Sequence, residues 1–181
     1  MDKSDEKLVE QYLEGDEESL HVLIERYTDL IYNFVFRFAG KDNASDIVQD
    51  VLIKAWRHIK SFDIKKASFK TWIFTIARNT TTDYLRRRKM VVFSSLDKEE
   101  ETFADNIEDE VILPDEALIK LEDKEFLNNL LDKLPAHYKE VLVLYYQEEM
   151  TFNEIGQLLK KPLNTVKSYH HRALILLREM V

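Results

Sequence analysis

Apolar residues recur three and four positions apart along most of this chain, and no stretch sustains a strict in–out alternation. Spacing of three and four lines up side chains on one face of an α-helix, so the pattern predicts helices and no strands. Leu8, Tyr12 and Leu13 predict a short helix over 5–14, with Gly15 placed to end it. Asp16 is placed to cap a longer helix over 17–39, whose stripe is Leu20, Leu23, Ile24, Tyr27, Ile31, Phe34, Val35 and Phe38; Gly40 stops it. A third helix over 45–60 carries Ile47, Val48, Val51, Leu52, Ala55 and Trp56. Residues 61–67 read as a loop. A fourth helix over 68–89 packs Phe69, Trp72, Ile73, Ile76 and Ala77.

The pattern then lapses. Residues 94–115 are rich in Ser, Asp and Glu, with scattered apolar residues and no period, which predicts a linker. Pro114 can open the next helix, over 115–133, with Leu118, Leu121, Phe126, Leu127, Leu130 and Leu131 inward. Leu134-Pro135 breaks it. A helix over 136–147 follows, with Tyr138, Val141, Leu142, Leu144 and Tyr145, and a final pair spans 151–160 and 164–179. The expected fold is all-α: two small helical domains, 1–93 and 126–181, joined over 94–125 by an acidic linker and the start of the following helix.

Charge sharpens this division. The net charge is −8 overall, but it is −8 over 1–53, +9 over 54–93, −10 over 94–125 and +1 over 126–181. One basic block lies between acidic ones. The acidic remainder repels phosphate and weakens binding of the free chain to DNA, which suits a protein that meets DNA when another molecule presents it. Cysteine is absent, so disulfides and thiolate chemistry are excluded. No signal peptide is evident, and no apolar run reaches the roughly 20 residues that span a bilayer. A cytoplasmic protein without membrane insertion is expected. His21, His58, His137, His170 and His171 show no metal-ligand spacing, and no phosphate-cradling glycine loop exists. No cofactor, metal or catalytic residue is expected, and an enzyme is disfavoured.

The final pair reads as a helix-turn-helix, which lays its second helix in a DNA major groove. Thr151 and Glu154 have capping-box spacing. Ile155 and Leu159 face inward, and Gly156 permits close approach of a neighbouring helix. Lys161-Pro162 ends the first helix, because a residue before proline avoids the α region. Asn164 or Thr165 can cap the second. Val166, His170, Ala173 and Leu177 share its inner face. Asn164, Lys167, Ser168, His171 and Arg172 lie toward the other side, with Tyr169 at the boundary. That outer set is short, polar and basic, suited to phosphates and base edges. Two solvated helices of a bundle would show much of the same pattern. His170 on the inner stripe reads as a partly buried, hydrogen-bonded histidine.

Asn164-Thr165-Val166-Lys167-Ser168, followed by His171-Arg172-Ala173, closely resembles the −35 recognition helix of extracytoplasmic-function (ECF) RNA polymerase sigma factors. Leu134-Pro135 before Tyr138-Lys139-Glu140-Val141-Leu142 resembles the start of their fourth conserved region. Tyr169 stands where the family often has arginine, and His170 where it usually has an aliphatic residue. The resemblance implies that Asn164, Thr165, Lys167, Ser168, Tyr169, His171 and Arg172 read the −35 element. Asp46-Ile47-Val48-Gln49-Asp50-Val51-Leu52-Ile53-Lys54-Ala55-Trp56 is similar to the family's polymerase-docking helix. It implies that Asp46, Gln49, Asp50, Ile53 and Trp56 face core RNA polymerase; by itself the segment would pass for an amphipathic helix with solvated acids.

Phe69-Lys70-Thr71-Trp72-Ile73 and Ile76-Ala77-Arg78-Asn79 are similar to the family's −10 reader. Thr75, Asn79, Thr82 and Arg86 recur as one polar stripe, with Lys65, Lys66, Lys70 and the run 86–89 as phosphate contacts. The implied −10 set is Lys66, Lys70, Thr71, Trp72, Thr75, Asn79, Asp83, Arg86 and Arg87, with a flipped-base pocket around 62–71. Trp72 also falls on the apolar stripe and reads mainly as core. The family places the inter-domain segment in basic polymerase channels, where an acidic strap fits; a solubilising spacer is the alternative. The expected function is an alternative sigma factor directing bacterial core RNA polymerase to promoter DNA, with an anti-sigma protein as a further partner. A stand-alone helix-turn-helix regulator is the competing reading; it predicts a dimer and a basic free protein.

Overall fold

In a computed structural model, which describes residues 3–92 and 124–181, the chain divides into two compact units, Met1–Lys98 and Glu99–Val181. The described residues form helices and turns and no strand. The expected linker, and residues 115–123 of the helix drawn over 115–133, lie almost wholly outside the described residues.

In the first unit, α1 is Asp5–Leu13, α2 Glu17–Ala39, α3 Lys41–His58 and α4 Phe69–Val92, with a 3₁₀ turn at Ile59–Ser61. Ser4 caps α1, its Oγ accepting the Lys7 amide at 3.3 Å. Asp5 then binds both Arg26 and the Tyr27 hydroxyl, which fastens α1 along α2. Asp16 precedes α2 as expected, yet its carboxylate accepts the Ser19 hydroxyl at 2.8 Å instead of a backbone amide.

The third helix begins at Lys41, four residues before the expected start at Ser45. Gly40 adopts φ +76°, a conformation that costs an L side chain and not glycine, so one residue suffices to turn the chain from α2 into α3. Leu23, Ile31, Phe34, Val35, Ile47, Val51, Phe74 and Ala77 are fully buried between α2, α3 and α4. Each large member stabilises the unit by about 1.5–3 kcal/mol through burial.

The buried face of α4 is Phe69, Thr71, Ile73, Phe74, Ala77, Thr80 and Thr81, turned from the expected stripe toward Phe74. Phe74 meets Phe34 edge-on at 5.6 Å, while Trp72 and Ile76 stay half-buried at the edge. The inward threonines are satisfied: Thr81 donates to the Ala77 carbonyl at 2.8 Å, and Thr80 accepts from Lys54 at 3.0 Å. Trp56, the last apolar residue of the third helix, is 56 % exposed.

In the second unit, α5 is Lys124–Lys133, α6 Ala136–Leu142, α7 Phe152–Leu159 and α8 Leu163–Met180. Leu131, Leu134, Leu142, Ala173 and Leu174 form one cluster, against which Leu127, Tyr138 and Leu177 pack. The helix expected over 136–147 stops being α at Leu142 and continues as a π turn, Val143–Gln147. Glu149 at φ +51° then reverses the chain. Tyr145 emerges stacked on Phe152, ring centres 4.6 Å apart.

Candidate nucleic-acid interface

The turn between α7 and α8 is built from backbone. Thr151 and Glu154 form both halves of the capping box: the Glu154 amide donates to Thr151 Oγ1 at 3.3 Å, and the Thr151 amide donates to Glu154 Oε2 at 2.9 Å. At the other end Lys160 adopts the left-handed conformation, and the Lys161 amide donates back to the Gly156 carbonyl at 2.9 Å. A Cβ on Gly156 would lie 3.0 Å from the Lys161 carbonyl oxygen. The glycine is thus required by the returning chain of the turn, with Val166 of the neighbouring helix 3.8 Å away.

Pro162 occupies the N-cap of α8, so Leu163 is its first residue. Asn164 and Thr165 therefore sit inside the first turn and do not cap it, as the sequence had suggested they could. Proline fits here because the fixed φ opens a helix and its missing N–H costs nothing at that point. Val166 and Ala173 are fully buried against the unit, which fixes the rotation of α8. Asn164 and Lys167 are exposed; Thr165, Ser168, His171 and Arg172 are half-buried. These residues share the side of α8 turned away from its core.

Tyr169 packs against His137 and Tyr138, with ring centres 4.8 and 5.6 Å away. His170 stands among Tyr145, Tyr146 and Phe152, and its Nε2 lies 3.2 Å from the Tyr146 hydroxyl oxygen. Burial, with a smaller contribution from His171, lowers the His170 pKa to about 4. The ring is therefore neutral at pH 7 and adds no charge to the outer face. This is the partly buried, hydrogen-bonded histidine that the inner stripe implied.

In the first unit, Asp46, Gln49, Asp50, Ile53 and Trp56 are all exposed on one side of α3, opposite Ile47, Val48, Val51 and Ala55. Trp56 Nε1 donates to the Tyr12 hydroxyl at 3.2 Å, which ties the end of that face to α1.

The loop before α4 is aromatic. Phe62 lies 5.6 Å from Phe69 and 5.5 Å from Trp72, and Phe69 meets Tyr27 at 5.3 Å. Asp63 shapes the turn by accepting the Lys65 amide at 3.0 Å, leaving Lys66 exposed. Ser68 Oγ accepts the Thr71 amide at 3.2 Å and lies 2.9 Å from the Thr71 hydroxyl oxygen. Thr71 is thus buried at the helix start and presents no surface, unlike its companions in the expected −10 set. Thr75 is half-buried and donates to the Thr71 carbonyl at 2.7 Å. Trp72 and Lys70 are half-buried, and Asn79, Arg86 and Arg87 are exposed. Asp83 accepts from Arg86 at 3.2 Å. Outside the expected sets, Phe62 belongs to this aromatic group; a lone Phe in a loop gives no periodic signal.

Residues 23–90 match the Sigma-70 region 2 family and residues 127–177 the Sigma-70, region 4 family. Together they cover more than half of the chain. It is 34% identical over 179 residues to the ECF RNA polymerase sigma factor SigW of Bacillus subtilis, covering 97% of this chain and 95% of the relative. The chain belongs to the ECF RNA polymerase sigma factors. The ECF RNA polymerase sigma-E factor of Escherichia coli is 28% identical, over 94% of this chain and 90% of that one. Among solved structures, the Bartonella quintana sigma factor RpoE, in complex with the anti-sigma factor NepR, superimposes with a TM-score of 0.67 at 26% identity, covering 88% of this chain and 94% of that one. CnrH, solved with the cytosolic domain of CnrY, shares the fold at 21% identity, with a TM-score of 0.70 and coverage of 98% and 97%.

As a member of this family the chain is an alternative sigma factor that directs transcription initiation. Among the described residues, no helix is long and apolar enough to cross a membrane, and no group of three His, Cys, Asp or Glu could hold a metal.

Proposed function

We propose that this sigma factor divides its work between the two units, with residues 1–93 gripping core RNA polymerase and the −10 element, 126–181 reading −35 duplex, and 94–125 linking them. The observation that carries the reading is the α3 face. Ile53 and Trp56 are 44 % and 56 % exposed beside Asp46, Gln49 and Asp50. Large apolar side chains bordered by carboxylates fit a helix-on-helix contact with a basic partner better than they fit water.

Asn164, Thr165, Lys167, Ser168, His171 and Arg172 supply base-edge and phosphate contacts from α8, with Tyr169 bracing the helix from the side. Lys66, Lys70, Arg86 and Arg87 hold the −10 backbone. Trp72, Thr75, Asn79 and Asp83 line the strand's path, and Thr71 contributes by fixing the start of α4. Sigma supplies specificity and polymerase supplies the chemistry, so the chain itself catalyses nothing and works in the cytoplasm. An anti-sigma protein is a further partner, supported by the Bartonella relative solved in complex with NepR.

Reconstitution with bacterial core polymerase tests this. The pair should yield run-off transcripts from selected promoters, while the free chain should show little sequence-specific DNA affinity at physiological salt. Tight operator binding without polymerase, or a core left unselective, would defeat the reading.

A further inference from the structure

Among the described side chains of α4, Thr81 is the last that is buried, and none from 82 to 88 is. Yet this end carries Arg86, Arg87 and Arg88 in succession. Over this stretch a polar contact holds α4 to its neighbours.

One amide makes that contact. Asn43, three residues beyond Gly40, donates from Nδ2 to the Ala39 carbonyl at 2.8 Å. That carbonyl ends α2 and has no partner within its own helix. The Asn43 Oδ1 accepts from the Tyr84 hydroxyl at 2.8 Å and from Arg88 Nη1 at 2.7 Å. A single side chain thus joins the end of α2, the start of α3 and the far end of α4. Tyr84 and Arg88 are four apart and share a face. At about 100° per residue, Asn79 and Arg86 lie on the opposite face. Holding Tyr84 and Arg88 inward therefore turns Asn79 and Arg86 outward. The acceptor is also neutral: it fixes the Arg88 guanidinium without cancelling its charge, which a carboxylate would do.

We propose that Asn43 is a positioning residue for −10 recognition: through Tyr84 and Arg88 it sets the rotation and the helical extent of the basic end of α4. This rests on the reading that α4 holds the −10 strand. The tie is legible only in three dimensions, because Asn43 and Arg88 are 45 residues apart in sequence.

The test uses holoenzyme reconstituted from the full chain. Its probe is a single-stranded oligonucleotide bearing the −10 region of a promoter selected by that holoenzyme. Asn43→Ala should weaken probe binding about tenfold, the scale of a lost charged hydrogen-bond network. Core affinity and −35 duplex affinity should stay unchanged. Asn43→Asp keeps both acceptor contacts and should cost only about threefold. Arg88→Ala added to Asn43→Ala should cost nothing more, since the two act as one unit. Wild-type binding by Asn43→Ala overturns the proposal. So do additive losses, which would make Arg88 a direct phosphate contact, and parallel losses in all three affinities, which would mean general loosening. Asn79→Ala with Arg86→Ala separates the levels. If this pair weakens probe binding and Asn43→Ala does not, only the positioning role falls; if the pair is silent, the reading of α4 falls as well.

Discussion

The two helices proposed to face DNA, α8 and α4, are oriented by different means. In α8, orientation comes from apolar residues: Val166, Ala173 and Leu174 are buried, and the outer side carries a modest charge in a segment of net +1. In α4, the inner face mixes Phe74 and Ile73 with three buried threonines, and the helix lies in the block of net +9. A recognition helix that reads duplex edges needs a fixed rotation, so that its base-contacting side chains meet the groove. A helix that holds an unstacked strand needs cations along its length and tolerates a polar, hydrogen-bonded packing face. On the proposed division of work, α8 acts by shape and α4 by field, each after α3 has docked the chain on polymerase.

The delivering face should therefore show the largest effect. Asp50→Ala with Ile53→Ala should lower affinity for core polymerase by about 100-fold, the scale of a truncated interface centre. Melting of the free chain should be unchanged, because both side chains are exposed. If −35 binding failed before core binding, the assignment of the two units would be reversed.

Next in size, Gly156→Ala should destabilise the second unit by about 1–3 kcal/mol, since its Cβ would press on the Lys161 carbonyl oxygen at 3.0 Å and a backbone atom cannot swing aside. Calorimetry should show the second unit melting earlier, and −35-dependent transcription should fall with it.

Lys167→Ala should reduce initiation from −35-dependent promoters about tenfold, with core binding intact. The contrast with α4 lies in salt. Arg86→Ala with Arg87→Ala should flatten the salt dependence of −10 strand binding by about 1.4 in slope, whereas removing Asn164 should leave the salt slope of −35 binding unchanged.

The smallest effect is a pH dependence. Burial holds His170 neutral down to about pH 4, while the unfolded chain takes up the proton near 6.5. Stability from this group is full above that range, is lost as pH falls from about 6.5 to 4, and declines no further below. His170→Phe should flatten that part of the melting curve of the second unit.

The helical register of this protein was legible because burial leaves a period in sequence. Leu23, Ile31, Val35, Ile47 and Val51 were all placed inward by spacing, and all are buried. The capping box was legible for a related reason: Thr151 and Glu154 are neighbours along one turn. Trp56 needed the family resemblance to be set on the outer face, because hydrophobicity alone cannot separate a core residue from an exposed apolar one. Phe74 was overlooked because Trp72 and Ile76 completed an equally good stripe one step around the helix. The early start of α3 depended on a single glycine at φ +76°, which no apolar period records.

Local rules acting within a turn or two of chain thus determined the helices, the helix-turn-helix and the outer faces that match its family. Tertiary structure alone decided the contacts that cross between helices: Asn43 to Tyr84 and Arg88, Trp56 to Tyr12, and the tyrosines gathered about His170. Hydrogen bonds and ring contacts of this kind join residues tens of positions apart. Nothing periodic in the sequence encodes such partners; only the packing of one helix on another brings them within reach.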